Sequence, residues 1–241
     1  MKIENKEYDD VFGTALADYL AGNKNAVIHV KSSLTEDDHI PVAYLFRDFE
    51  KMPDLEKKAL DLAKGKVLDA GACAGNHALY LQEKDFDVVA LDQSPGAVKV
   101  MQDRGVQKTV CSSLLEYTET GFDTLLILMN GTGLFEVLDR SGHYLQHLHG
   151  LLNTGGQVLI DSTDIHYMFE EEDGSYWEDA NKDYYGEVRF QLQYNNLESK
   201  PFNWIYLDYA SLSQLALNHG FQSTLLAEND KHAYLARLVK V

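Results

Sequence analysis

Five continuous apolar runs between Lys66 and Ser162 restrict the layout of this chain more than any other feature. They are "KVLDA", "DVVALD", "KTVC", "FDTLLILMN" and "GGQVLIDS". None alternates apolar with polar residues, so each is expected to be covered on both faces. Helical stretches fall between them. One starts near Asn76, and one covers "SPGAVKVMQDRG", with Ser94 as N-cap, Pro95 at the first position and Gly105 at its end. Another runs from about Asp139 to Asn153. Alternation of this kind predicts an α/β fold with a doubly wound, mainly parallel sheet.

The flanks read differently. Residues 1–64 form a largely helical lead-in or cap, and residues 65–241 the main domain. In the lead-in, "DDVFGTALADYLAG" puts Val11, Ala15, Leu16 and Tyr19 on one stripe, and "MPDLEKKALDLAKG" puts Leu55, Ala59 and Leu62 on another. "NAVIHVKSS" between them is extended. After the fifth run comes an acidic, aromatic insertion at about 163–207, in which a hairpin is expected with strands Glu187 to Tyr194 and Phe202 to Leu207. A final helix, "SLSQLALNHG", precedes two strands joined tightly around Asn229 and Asp230. So short a hairpin must be antiparallel, which brings the sheet to seven strands.

Charge and cysteine content narrow the function classes. With 38 acidic and 21 basic residues among 241, the formal net charge is −17. Such a surface repels phosphate backbones and anionic lipids, so neither nucleic acid nor membrane is expected as a partner. No apolar run approaches the roughly 20 residues of a membrane span. "MKIENKEYDD" is too polar for a targeting segment. The two cysteines lack CxxC spacing, which predicts neither a disulfide scaffold nor a cysteine-based zinc site, and fits a reducing cytoplasm.

The turn after the first run, in "VLDAGACAGN", is where a cofactor is expected. A P-loop fails for want of Lys-Ser or Lys-Thr after Gly75. A dinucleotide loop needs glycine at the places of Gly71, Cys73 and Asn76, and only the first complies. The third pattern is an acid followed by residues at alternate places: Asp69, Gly71, Cys73, Gly75. With Asp92 at the end of the second run, and with the C-terminal hairpin, this set resembles the class I S-adenosylmethionine (SAM)-dependent methyltransferases. "YLFR" and "LMNGTGL" are similar to uncharacterised bacterial members acting on small molecules.

The resemblance implies SAM as methyl donor, S-adenosylhomocysteine as product, and in-line transfer to oxygen, nitrogen or carbon of a small acceptor. Gly71, Ala72, Cys73 and Gly75 would shape the cofactor turn. Asp69 would lie near the methionine ammonium and Asp92 on the ribose diol, which follows Asp69 at roughly the 20-residue interval expected of a ribose acid. Gln93 would lie against the adenine, and Ser112 or Ser113 would accept from its amino group. Asn130 and Gly131 would face the space between cofactor and acceptor. Arg47 either reaches the methionine carboxylate or forms a surface ion pair with Asp48 or Glu50.

Cys73 departs from the family's glycine. It is read as a small apolar filler where glycine's freedom is not required, the alternative being a redox thiol paired with Cys111. His166, past the fifth run beside Asp161 and Asp164, is the candidate general base, should the acceptor have to lose a proton; a solvated loop residue is the other reading. His77 is expected to pack near the cofactor. His143, His147 and His149 lack further ligands and read as a helix face, so no metal is expected. Tyr167, Tyr176, Trp177, Tyr184, Tyr185 and Trp204, with the acids from Glu170 to Asp173, suit an aromatic or amine acceptor, or else pack as a lid. A nicotinamide oxidoreductase and a non-catalytic protein keeping the fold are the alternatives.

Overall fold

The computed structural model describes residues 10–170 and 184–241. The lead-in gives α1 (Val11–Leu20), a hairpin of β1 (Val27–Ser32) and β2 (Asp38–Pro41), and α2 (Asp54–Leu62). Alternation follows: β3 (Lys66–Ala70), α3 (Asn76–Glu83), β4 (Asp87–Asp92), α4 (Pro95–Asp103) and β5 (Thr109–Cys111). Next come β6 (Phe122–Ile127), α5 (Leu138–Leu151) and β7 (Leu152–Thr163). The insertion supplies β8 (Glu187–Tyr194), β9 (Leu197–Glu198) and β10 (Phe202–Ile205). The chain closes with α6 (Tyr209–Asn218), β11 (Phe221–Glu228) and β12 (Ala233–Lys240).

Seven strands form the main sheet in the order β11-β12-β7-β6-β3-β4-β5. The five from β7 to β5 are parallel, and the terminal pair is antiparallel. Its central strands are buried on both faces, as their unbroken apolar runs require. Among the described residues no helix is long and apolar enough to cross a membrane.

A second, antiparallel sheet has the order β10-β8-β1-β2, with β9 on β8. Its strands come from two places far apart in sequence: β1 from the lead-in pairs with β8 from the insertion. The lead-in therefore carries a strand pair besides its helices. The four residues of β2 are largely exposed and give no apolar signal, so sequence periodicity passes over them.

Two glycine contacts hold the second sheet and α1 close to the elements around the main sheet. A Cβ on Gly133 would lie 1.8 Å from the Trp204 ring of β10, so only glycine lets the indole lie there. A Cβ on Gly13 would lie 2.6 Å from the Gly96 Cα, which marks a backbone-to-backbone crossing of α1 and α4. Asp10 ties the same two helices. Its carboxylate accepts from the N–H groups of Gly13 and Gly96 and from the Ser94 hydroxyl, capping both N-termini. The result sets α1 beside the carboxyl end of β4, where Asp92 stands.

Candidate cofactor site

The turn from Gly71 to Gly75 is shaped by β4. The N–H groups of Gly71 and Ala72 both reach the Leu91 carbonyl, at 2.9 and 3.0 Å. The Cys73 N–H reaches Asp92 Oδ2 at 2.9 Å, and the Gly75 N–H reaches the Ala72 carbonyl at 2.7 Å. These four amides are satisfied within the fold and are not free for a ligand. Asp92 accepts a second bond, from the Ser94 N–H at 2.9 Å, and each of its oxygens keeps a lone pair for another donor. Burial pushes its pKa up, aided by the charges of Asp10 and Asp69 and opposed by those two N–H groups.

Gly71 and Gly75 stand at φ +75° and +82°, where glycine is the natural residue. Cys73 stands at +55°. This corrects the filler reading: the position does call for glycine's freedom, and cysteine occupies it under strain. A left-handed L-residue costs about 1–2 kcal/mol, while glycine costs roughly 0.5–1 kcal/mol in chain entropy. Cys73→Gly should therefore raise stability slightly, by about 1 kcal/mol or less. A thermal melt showing a loss of stability would refute the strain. Burial, with the Asp92 charge beside it, pushes the Cys73 thiol well up, so little thiolate is present for chemistry.

A recess beside this turn is lined by Asp69, Gly71, Cys73, Asn76, His77 and Met129, among others. Two of these lining residues, Asp69 and His77, belong to a row of four buried charges. Both side-chain oxygens of Glu56 accept from Arg47 Nη2, at 2.5 and 2.6 Å, with only 4% and 5% of the two side chains exposed. Glu56 Oε2 lies 3.0 Å from His77 Nε2, and His77 Nδ1 lies 3.6 Å from Asp69 Oδ1. Burial opposes the charge on His77, but the carboxylates of Asp69 and Glu56 on its two sides outweigh it and bring its pKa to about 9. Burial likewise opposes Glu56, yet His77 and Arg47 hold its carboxyl below the usual range.

Arg47 thus forms no surface pair with Asp48 or Glu50. Asp48 bonds Lys51 instead, and the Arg47 guanidinium is stacked on the Tyr44 ring and buried. Two atoms of the row have no partner among the described residues: Arg47 Nε, a donor, and Asp69 Oδ2, an acceptor. Sequence reasoning missed Glu56. Its signal was an acid sharing the inner face of α2 with Leu55, Ala59 and Leu60.

At the end of β6, Met129 and Asn130 are both left-handed, at φ +70° and +58°. β7 holds them there. Asp161 Oδ1 accepts the Gly131 N–H at 3.0 Å, and the Thr163 hydroxyl donates to Asn130 Oδ1 at 2.7 Å. Burial pushes Asp161 up to about 6, against the N–H groups of Gly131, Asn130 and Met129. Strain held by neighbouring structure in this way gathers at functional sites.

Comparison with known proteins decides the family. A family model described as "Methyltransferase domain" matches residues 68–160. A SAM-dependent methyltransferase from Bacteroides fragilis, solved with S-adenosylhomocysteine, is 41% identical over 96% of this chain and 95% of its own, with a TM-score of 0.90. The chain belongs to the class I SAM-dependent methyltransferases. Its cofactor is accordingly SAM. The SAM-bound amino pentose methyltransferase CalS10 from Micromonospora echinaspora shares the fold at 13% identity, over 86% of this chain and all of its own (TM-score 0.55). The CcbJ methyltransferase from Streptomyces caelestis does so at 13%, over 80% and 95% (TM-score 0.57). No curated protein matches in sequence.

The methyltransferase places the other sequence-predicted residues around this turn and beyond it. Gln93 is exposed just past Asp92. Ser112 donates its N–H to the Asp92 carbonyl at 3.0 Å, and the Ser113 hydroxyl donates to Glu116 at 2.8 Å. His166 opens a short 3-10 turn after β7. Its N–H bonds Asp164 at 2.9 Å, and its ring meets the Tyr185 ring edge-on, centroids 5.0 Å apart. Tyr185 and Tyr184 donate their hydroxyls to Asp164 and Asp208, at 2.8 and 2.6 Å. Tyr167 is half exposed and stacked on His232. Tyr176, Trp177 and the acids 171–173 lie outside the described residues.

Proposed function

We propose that the methyltransferase binds SAM with Asp92 on the ribose diol, Gln93 against the adenine, and Ser112 or Ser113 accepting from the adenine amino group. Asp69 receives the methionine ammonium and Arg47 its carboxylate. The observation that carries this reading is the pair of orphaned buried atoms: an acceptor on Asp69 and a donor on Arg47 match the two charges of an amino-acid zwitterion.

When bound, SAM supplies a methyl group already activated by its sulfonium. The chain's own work is then alignment and exclusion of water. Asn130 and Gly131, fixed from β7, form the floor between cofactor and acceptor. His166, next to Asp164, takes the proton where the acceptor must lose one. The acceptor is a small molecule, aromatic or amine-bearing. Tyr184 and Tyr185, set beside Asp208 and Asp164, offer ring faces and negative charge to such a ligand. A free, exposed Cys111 suits a reducing cytoplasm.

Calorimetry with S-adenosylhomocysteine tests the cofactor placement, with NAD as the contrast. The wild type should bind the former and not the latter. Asp92→Ala should weaken binding by about 1–3 kcal/mol, the penalty for ribose hydroxyls left unpaired. Wild type that does not bind S-adenosylhomocysteine would overturn the reading, and undiminished binding by the variant would move the ribose elsewhere.

A further inference from the structure

We propose that His77 is a positioning residue for the methionine end of the cofactor, holding Asp69 so that its second oxygen is presented to the ligand's ammonium. The inference rests on the placement of that ammonium at Asp69 made above, and adds how the carboxylate is held ready.

The geometry leaves His77 little freedom. Its ring is buried, and its two nitrogens face acids from two different elements, Glu56 of α2 and Asp69 of β3. As an imidazolium, the ring bonds Glu56 through Nε2 and attracts Asp69 Oδ1 to its Nδ1 side by charge, at 3.6 Å. Oδ2 is then left buried and without a donor among the described residues, an expensive state unless a cation arrives. From Arg47 through Glu56 and His77 to Asp69 the charges alternate in sign, and a cation at Oδ2 continues the alternation. Other charges near the row are Asp161, which feels the Glu56 charge, and Asp92, which feels that of Asp69. Helix stability gives no reason for this cation. His77 lies in the first turn of α3, where the helix dipole disfavours positive charge. The raised pKa agrees with a ring that stays protonated at neutral pH.

This arrangement also joins the lead-in to the cofactor turn. Arg47 and Glu56 belong to residues 42–62, and Asp69 and His77 to the turn's two flanks. Loss of either inner partner should therefore be felt at the amino-acid end of the ligand and not at its nucleoside.

Two ligands separate these ends: S-adenosylhomocysteine, and 5′-methylthioadenosine, which has the nucleoside without the amino acid. Calorimetry on wild type, Asp69→Asn, His77→Gln and Glu56→Gln should show His77→Gln weakening S-adenosylhomocysteine by about ten-fold or more, with 5′-methylthioadenosine kept within about two-fold. Equal loss of both ligands would mean that His77 merely supports the fold. No loss of either would end the proposal. If Asp69→Asn leaves S-adenosylhomocysteine undiminished, the ammonium placement itself fails and the proposal with it. If Asp69→Asn weakens binding and His77→Gln does not, the proposal alone fails. Should His77→Gln not fold, Glu56→Gln carries the same test. In the wild type, the His77 imidazole NMR signals should shift with S-adenosylhomocysteine and not with 5′-methylthioadenosine, and a shift with both or neither would overturn the assignment.

Discussion

Glu56→Ala is expected to cost about 3–5 kcal/mol of folding stability, a large part of the 5–15 kcal/mol typical of a protein. The side chain lies between two cations and bonds both. Removing it leaves the Arg47 guanidinium and the His77 imidazolium buried without the carboxylate that both bond. What is lost is mainly compensation for desolvated charge, since a buried pair adds little beyond that. Urea unfolding measures it. The Arg47→Ala/Glu56→Ala double variant should lose less than the sum of the two single losses, because each single change strands the other partner. Full additivity would mean that the two side chains do not act as one unit.

Stability of the wild type should fall as pH rises from about 6.5 to about 9. His77 binds its proton with a pKa of about 9 in the fold and about 6.5 when unfolded, so in that window the folded state holds more protons. Its contribution is complete below about pH 6.5 and is lost as pH climbs through 9. The upper bound is about 3 kcal/mol, at 1.36 kcal/mol per pKa unit. Asp161 adds a loss of the same sign, but between about pH 4 and 6, where its own pKa is raised. Glu56, with its pKa lowered, acts oppositely: its contribution is present above its unfolded value and lost in acid. Urea titrations at several pH values should show the fall for wild type and a flat response for His77→Gln across 6.5–9. A wild type that is equally flat would mean that the ring is neutral in the fold.

The shape of the turn after β3 was legible in the sequence for a local reason. Asp69, Gly71, Gly75 and Asp92 are set by strand ends and by a turn whose φ values glycine prefers. Such constraints act over a few residues and leave their mark on residue type. The Ser94 cap and the antiparallel terminal hairpin were readable for the same reason. Cys73 misled because a residue type reports preference and not actual backbone angle, and only the fold shows φ at +55°.

The sequence by itself determined the doubly wound sheet, the antiparallel pair at its edge and the glycine turn after β3, because apolar period and turn chemistry are local. Tertiary structure alone decided the rest. It made one sheet of β1 and β8, strands separated by more than half the chain, and it turned Arg47, Glu56, His77 and Asp69 into a single row. Those pairings depend on which surfaces meet after burial, and a charged side chain carries no record in its own neighbourhood of the opposite charge it will be buried against.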